Sequence, residues 1–463
     1  MTGLKCSKRQ RFRLLFLFFL LLPHLGVAAS GSAVPRHVLA LYDAGKYPDP
    51  FYTPLHQGLE FALNHLGLVV DYHPMQEPLP LHTDMSSYVG TLVWKAFPEQ
   101  AVQDPSGYCR WLVDEMSQGR RVVVLEYLGV EKNKKKEYPV ECLNVFKKIG
   151  LEYQGEFADD PLFLEITSKE DNVVEYERRL DFMDQLLYSL FKPVKPDVIS
   201  YLTMRRLDME DSNSSLVVTS PRGGYVHPSY VMRTSVGLDR RQLYLNPFIY
   251  FQAAFGLGGA PVPDVTTING RRIFYTHIDG DGIFNVSNID RKSFSAQVIL
   301  DNVLRRYSHL PFTVGLITGY FDKNQYQGEH IRELYRNMLS LPNVEVASHG
   351  YAHPLNWEKG TYAVEIGGYH YSPRYEVQGS VAKLTALLKD LAIPKPVSLF
   401  QWTGNCLPNP EHIGYAEQAN LLNINGGDSR YDHVMDSHAY LAPLSRSVEG
   451  HRQIYSSFSN ENI

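Results

Sequence analysis

The chain alternates short apolar runs with longer amphipathic runs, and this alternation occurs twice, on either side of a segment of different character. Short apolar runs bounded by turn residues are typical of buried β-strands, whereas apolar residues spaced three and four apart indicate helices. Strands that alternate with helices form parallel sheets, because a parallel connection needs a long crossover. The sequence therefore predicts an α/β protein.

The first alternation, in residues 36–195, predicts a Rossmann-like, doubly wound α/β domain. No glycine-rich phosphate loop follows its first strand, so nucleotide binding has no support, and we expect a non-catalytic domain. The predicted strands are 37–43, 68–72, 89–95 and 121–127, and the predicted helices are 55–66, 109–117 and 141–149.

Residues 196–268 are rich in Tyr, Gly and Pro and contain short β-prone runs at 215–219 and 243–250. We interpret this segment as a small β-rich connector. Its aromatic residues could line a sugar groove, but aromatic packing is the commoner explanation.

The alternation resumes in residues 269–463, and five strand–helix repeats predict a (β/α) barrel. Polar residues follow the predicted strands, as they do on the catalytic face of such a barrel. The predicted strands are 272–278, 312–318, 344–348, 397–402 and 421–425, and the predicted helices are 293–307, 330–339, 378–391 and 411–419.

Two short clusters within this region suggest a hydrolytic metal site. Asp279 and Asp281 follow one predicted strand, and His349 and His353 follow another. One carboxylate and two imidazoles can hold a Zn²⁺-like ion with an open position for water, which leaves the second carboxylate free to take a proton. Each cluster alone has a simpler explanation, since H-x-x-x-H occurs by chance and Asp beside Gly caps turns. Together they make an enzyme the leading hypothesis.

The same motifs resemble those of the polysaccharide deacetylases with a NodB-homology domain, and within them the deacetylase region of PelA-type exopolysaccharide proteins. The usual adjacent aspartates are here Asp279-Gly-Asp281-Gly, which is similar to the PelA-type D-x-D variant. Ser348, His349 and His353 match the second motif. The similarity covers roughly residues 200–463 and also includes the stretches 261–272 and 425–428.

The resemblance implies an incomplete or distorted (β/α) barrel of NodB-homology type over 269–463. It implies that Asp281, His349 and His353 are ligands of a divalent ion, with zinc expected, and that Asp279 is the general base. The implied reaction removes N-acetyl groups from an exported polysaccharide by attack of a metal-bound water. The implied partners are this N-acetylated polysaccharide and other exopolysaccharide export proteins.

The chain also departs from the family pattern. The third motif of the family supplies an Arg that orients the base, but residues 400–406 contain none. Trp402 and Asn405 are candidates for that role, and with Asp428 they are candidates for contacts with substrate. The late catalytic His of the family has no clear counterpart before Ile463, so the C terminus could be incomplete. A non-catalytic carbohydrate-binding scaffold of an export assembly is the alternative function.

Residues 1–29 have the order of a secretory signal peptide: basic residues, an apolar stretch at 14–22, and small residues at 27–29. We therefore expect export to a periplasm or the medium. An uncleaved segment that tethers the chain is the alternative, although about nine apolar residues fall short of the roughly twenty that span a bilayer. No stable transmembrane segment is expected after cleavage.

Charge and cysteine content set two further bounds. The formal net charge is −5 with no large basic surface in the sequence, so no nucleic-acid partner is expected. After residue 29 the cysteines are Cys109, Cys142 and Cys406, an odd number that gives no disulfide framework. Cys109 and Cys142 are interpreted as small core residues, and a bridge between them remains possible in an oxidising compartment.

Overall fold

A computed structural model describes most of the chain after residue 33. The predicted signal peptide lies outside the described residues. Among the residues that are described, no helix combines the length and the apolar character that crossing a membrane requires. The described residues are 34–158, 160–181, 187–235, 240–259, 261–262, 267–268, 271–272 and 274–456.

The first large sheet is built mainly from the N-terminal α/β region, and its strands run in the order β2-β1-β3-β4-β10-β9-β8-β6. The first five strands in this order are mutually parallel, and the last three pair antiparallel. The strands of this region are β1 (His37–Tyr42), β2 (Val69–Pro74), β3 (Tyr88–Lys95), β4 (Arg121–Glu126), β5 (Leu151–Ala158), β6 (Leu164–Lys169), β7 (Leu187–Pro193), β8 (Ile199–Arg206), β9 (Ser214–Ser220), β10 (Gly223–Val226), β11 (Met232–Ser235), β12 (Arg240–Leu243), β13 (Thr267–Ile268) and β14 (Arg271–Arg272).

Helices cover both faces of this sheet, because alternate residues of its central strands are apolar on both sides. On β4, Val123 belongs to one apolar core with α2 and α5, while Val124 belongs to the other core with α3 and α4. The predicted α/β class is confirmed, since this large sheet is mostly parallel and packs against helices. The helices are α1 (Pro54–Gly58), α2 (Glu60–His65), α3 (Pro105–Ser117), α4 (Val140–Ile149) and α5 (Pro247–Ala254).

The predicted connector does not form a separate β-rich unit. Its strands β8, β9 and β10 join the first sheet, so this sheet continues beyond residue 195. The β-prone run at 243–250 is also not a strand, since helix α5 begins within it. The side chain of Asn246 accepts hydrogen bonds from the N–H groups of Phe248 and Ile249, and Pro247 occupies the first turn. An Asn cap followed by Pro is a helix-start signal that outweighs the β propensity of the aromatic residues.

A disulfide joins α3 to α4 through Cys109 and Cys142, whose side chains are fully buried. The bridge left open by the sequence is therefore present in the structure. The Sγ of Cys406 lies 3.4 Å from the carbonyl oxygen of Trp402, to which it donates a hydrogen bond.

The second large sheet lies in the C-terminal region and has the order β15-β16-β17-β20-β21-β23-β22. Its pairs are parallel except for β22 and β23, and the sheet curls into a half barrel. Its first strand is shorter than the predicted strand 272–278. The strands of this region are β15 (His277–Ile278), β16 (Phe312–Leu316), β17 (Val344–Ser348), β18 (Pro354–Asn356), β19 (Thr361–Tyr362), β20 (Val397–Gln401), β21 (Leu422–Ile424), β22 (Ser445–Val448) and β23 (His451–Ile454).

Helices connect the parallel strands of this second sheet, as the sequence predicts. Leu334 of α7 and Leu384 of α8 pack with Val314 and Val346 in one buried core. The helix predicted at 293–307 is a short α-helix that continues as a π-helical turn over Leu300–Leu304. The helices are α6 (Ser295–Ile299), α7 (Glu329–Leu339), α8 (Ser380–Asp390) and α9 (Pro410–Gln418).

The two sheets belong to one compact unit that begins at Arg36. Ala439, from the loop before β22, is buried in a core of the first sheet. Beside it, Glu177 accepts hydrogen bonds from Ser437 Oγ at 2.6 Å and from the His438 N–H at 2.7 Å. The C-terminal region is thus anchored on the N-terminal one.

Candidate metal centre

Three side chains converge where two parallel strands of the second sheet end. Asp281 follows β15, and His349 and His353 follow β17. The Nε2 atoms of His349 and His353 lie 3.2 and 2.8 Å from Asp281 Oδ1. Potential ligand atoms of all three residues lie within 4.8 Å of one another. The predicted convergence is confirmed, and this group could hold a metal ion at the roughly 2 Å bond lengths that such ligands use.

His349 is oriented for ligation by a backbone contact. Its Nδ1 lies 3.1 Å from the carbonyl oxygen of Gln401, to which an Nδ1–H donates. With Nδ1 engaged in this way, Nε2 is the ring nitrogen directed toward Asp281 and available as a ligand atom, as in many metal-bound histidines. Burial works to lower the pKa of His349, but the charges of Asp279 and Asp281 and the hydrogen bonds to Asp281 and Gln401 outweigh it and raise that pKa.

His353 has the features of a ligand in need of a partner. Its side chain is 8% exposed, and among the described residues neither ring nitrogen finds a hydrogen-bond partner of good geometry, although Nε2 lies near Asp281. Its backbone has φ +58°, a left-handed conformation that is uncommon for a residue with a side chain. Buried polar atoms without partners are costly, and ligation of a cation through Nε2 would satisfy one of them.

Asp281 supplies the open side of the group. Its side chain is 58% exposed, in contrast to the two buried imidazoles. Partial desolvation works to raise the pKa of Asp281, but the close contacts and charges of His349 and His353 lower it well below its usual range. An ionised carboxylate and two imidazole nitrogens form a donor set of the kind that holds divalent ions such as zinc.

Gly280 separates the two aspartates because no side chain fits there. A Cβ at this position would lie 2.7 Å from the carbonyl oxygen of Gly315 and 3.1 Å from the backbone nitrogen of Ile317. The close approach of β15 to the end of β16 therefore requires glycine.

Asp279 lies beside the ligand group without belonging to it. Its carboxylate accepts hydrogen bonds from Asn425 Nδ2 at 3.3 and 3.2 Å, and Oδ1 lies 3.8 Å from His277 Nε2. Its negative charge contributes to the raised pKa of His349. A carboxylate that is oriented but not part of the ligand group can act as a base on water.

Asn425 is the functional residue that sequence reasoning did not assign. It follows β21 directly, has φ +98°, and donates from Nδ2 to both oxygens of Asp279 and to the carbonyl of Trp402. The stretch 425–428 attracts attention in the sequence, but no local pattern pairs Asn425 with a residue 146 positions earlier. The contact arises only because β15 and β21 belong to one curled sheet.

The three predicted substrate-binding residues differ in their surroundings. Trp402 is fully buried, donates from Nε1 to Asn423 and packs on Trp357, so its indole offers no surface to a substrate. Asn405 accepts a hydrogen bond from the backbone N–H of Trp357. In the described part of the chain, neither Trp402 nor Asn405 bonds to Asp279 through its side chain. Asp428 is exposed, and desolvation by its surroundings raises the pKa of its carboxyl group.

No protein-family model matches the chain, and no curated protein matches it either. Any function proposed for this chain therefore rests on the geometry of Asp279, Asp281, His349 and His353 and on the motifs in which they stand.

Proposed function

We propose that this protein is a metal-dependent hydrolase that removes N-acetyl groups from an exported polysaccharide. The observation that carries the proposal is the convergence of Asp281, His349 and His353, with Asp279 oriented beside them by Asn425. The resemblance of the D-x-D and H-x-x-x-H motifs to those of the polysaccharide deacetylases gives the substrate class. On this proposal the second sheet is an incomplete NodB-type barrel, and the first is a Rossmann-like domain.

The residues of the site fit the chemistry of amide hydrolysis. When bound, a divalent ion such as zinc supplies Lewis acidity, which activates water and polarises the carbonyl of the bond to be cleaved. Asp279 accepts the proton of the attacking water, and the amide of Asn425 holds its carboxylate in place. The proton taken by Asp279 then passes to the leaving nitrogen, so that acetate and a free amine result.

Two features support an exported protein, either periplasmic or secreted. Residues 1–29 have the composition of a signal peptide, and Cys109 and Cys142 form a buried disulfide. Disulfides persist in oxidising compartments and are rare in the cytosol of mesophiles. Deacetylation of an exported polymer would expose amines that are protonated at neutral pH and thereby change its adhesion to anionic surfaces.

A non-catalytic carbohydrate-binding scaffold is the second candidate function. The absence of an Arg from residues 400–406 favours it, because the family uses that Arg to orient its base. The contact between Asn425 and Asp279 favours the enzyme, since an amide donor can orient a carboxylate as well.

The test is acetate release from N-acetylhexosamine oligomers by the zinc-loaded protein. Asp279→Asn removes the base and keeps its size, so we expect the rate to fall by about 10²–10⁴-fold while zinc affinity is retained. Asp301→Asn, on the exposed face of a helix, is the matched control and should leave the rate unchanged. Zinc binding without acetate release would support the scaffold, and activity that survives Asp279→Asn would refute the role of the base.

A further inference from the structure

Two chains of contacts lead from the N-terminal half of the molecule, residues 36–268, to Asn425, one through hydrogen bonds alone and one through hydrogen bonds and a peptide bond. The first begins at Asp49, whose Oδ2 lies 3.0 Å from Arg446 Nη1. Arg446 donates from Nε to Gln453 Oε1 at 3.1 Å, and Gln453 donates from Nε2 to the carbonyl oxygen of Asn425 at 2.8 Å. Arg446 and Gln453 are almost completely buried and Asp49 is partly exposed, so the contacts between Arg446, Gln453 and Asn425 are shielded from water.

The second chain begins at Glu60 and His56, both buried in the N-terminal half. His56 lies 2.7 Å from Glu60 Oε2 through Nδ1 and 2.9 Å from the hydroxyl of Tyr455 through Nε2. Ser456, the next residue, donates from Oγ to Asn425 Oδ1 at 2.9 Å. The two chains therefore reach Asn425 at its carbonyl and at its side-chain oxygen.

The contact at the side-chain oxygen determines what Asn425 can do. Because Oδ1 accepts from Ser456, the NH₂ group faces the other way, toward Asp279 and the carbonyl of Trp402. A reversed amide would place its oxygen against the carboxylate of Asp279 and lose both hydrogen bonds. The orientation of Asn425 is thus fixed by Ser456, whose neighbour Tyr455 meets His56 of the N-terminal half.

We infer that the N-terminal half is a working part of the candidate site, in which Asp49 and His56 position Asn425 and, through it, the carboxylate of Asp279. They are positioning residues, since neither touches the ligand group. In this role the N-terminal α/β region contributes to the candidate site instead of binding a ligand of its own. The inference rests on the proposed function, because the position of Asp279 matters to activity only if Asp279 acts as the base.

The test uses two conservative changes, one for each chain of contacts, in the whole protein. Asp49→Asn removes the charge that faces Arg446 but keeps a side chain able to cap the N–H of Phe51. Tyr455→Phe removes only the hydroxyl that meets His56. In the combined variant we expect kcat for acetate release to fall by about tenfold, because a small misplacement of a catalytic group is costly. KM and zinc affinity should be unchanged, and on an Asn425→Ala background the two changes should cause no further loss.

Two matched controls separate positioning from general loosening. Tyr72→Phe removes a hydroxyl that also bonds to Glu60 but lies outside both chains of contacts. Asp436→Asn breaks the exposed ion pair with Arg240, which joins the same two halves elsewhere. Both should keep kcat within about twofold of the original protein. An unchanged kcat in the combined variant, an equal loss in the controls, or an additive loss on the Asn425→Ala background would overturn the inference.

A structural measurement keeps this inference separate from the proposed function. If the original zinc-loaded protein releases no acetate, the proposed function fails, and crystal structures of the variants decide the positioning role. We expect Asn425 Nδ2 to leave hydrogen-bond distance of Asp279 in the combined variant but not in the controls. An unmoved Asn425 would overturn the inference whatever the enzyme does.

Discussion

At the scale of single residues, the spacing between the candidate base and the candidate ligand depends on Gly280. This glycine allows β15 to approach the backbone of Gly315 and Ile317, and the atoms it would meet cannot move aside as a flexible side chain can. Asp279 and Asp281 flank it, so any shift of this turn displaces both carboxylates at once.

Gly280→Ala should therefore weaken zinc binding by at least about tenfold and lower the free energy of unfolding by about 1–3 kcal/mol, since overpacking forces the backbone to move. Titration calorimetry with zinc and urea unfolding measure the two quantities. Gly367→Ala is the control, because no atom lies within 4 Å of the Cβ it would add. Zinc affinity that is unchanged in Gly280→Ala would contradict the importance of this close approach.

The candidate ligand group could be predicted from the sequence, but the residue that contacts the candidate base could not. Asp279, Asp281, His349 and His353 stand in two short motifs, and motifs of this kind are visible along a sequence. No such motif marks Asn425, because its contact with Asp279 is made across the sheet between residues far apart in the sequence. Trp402 is a case of the opposite kind, since its place after a predicted strand suggested a role in binding, whereas the structure buries it in a core.

At the scale of elements, a π-helical segment holds the loop that carries both imidazoles. Glu376, in the segment Tyr375–Gly379, is fully buried and accepts hydrogen bonds from the N–H groups of Tyr351 and Ala352 at 2.7 and 2.9 Å and from the hydroxyl of Tyr369 at 2.6 Å. Burial raises the pKa of Glu376, while these hydrogen bonds act in the opposite direction. The hydrogen bonds to Glu376 fix the turn that lies between His349 and His353.

Glu376→Ala should lower zinc affinity by about 10–100-fold, the usual range when a group that supports metal ligands is lost. It should also destabilise the fold by about 1–3 kcal/mol, because two buried N–H groups lose their acceptor. Isothermal titration with zinc, under conditions where circular dichroism shows a folded protein, provides the measurement. Glu365→Ala changes an exposed carboxylate in the same region and should affect neither quantity. Equal zinc affinities in the two variants would show that Glu376 does not support the candidate metal ligands.

The elements themselves were predictable where their signals are local. Strand β17 was predicted with its observed bounds, because its apolar run ends at Ser348 before a glycine-containing turn. The run 243–250 was misjudged because the cap formed by Asn246 and Pro247 counted for less than the aromatic residues that follow. The pairing of β10 with β4 was out of reach, since nearly one hundred residues separate the two strands and no local pattern specifies the partner of a strand.

At the scale of the whole molecule, the contacts of Asp49, His56 and Glu177 with the C-terminal region indicate that the two sheets unfold together. The burial of Ala439 supports this view. Ala439 packs in a core of the first sheet, and separation of the two halves would expose that core to water. A ligand that binds one half should then stabilise the other half as well.

This coupling can be tested with the disulfide as a reporter. Cys109 and Cys142 are fully buried in the N-terminal half, so a reductant reaches them only when that half opens. Zinc at one hundred times its dissociation constant stabilises the folded state by about 2.7 kcal/mol, which corresponds to a roughly hundredfold smaller unfolded population. We expect the rate of bridge reduction in urea to fall by a similar factor when zinc is added, as measured by mass spectrometry after thiol alkylation.

Asp281→Asn, which removes a ligand from the other half, should abolish this protection. Reduction at equal rates with and without zinc would show that the halves open independently, and the positioning of Asn425 from the N-terminal half would then lack the rigid connection that it requires.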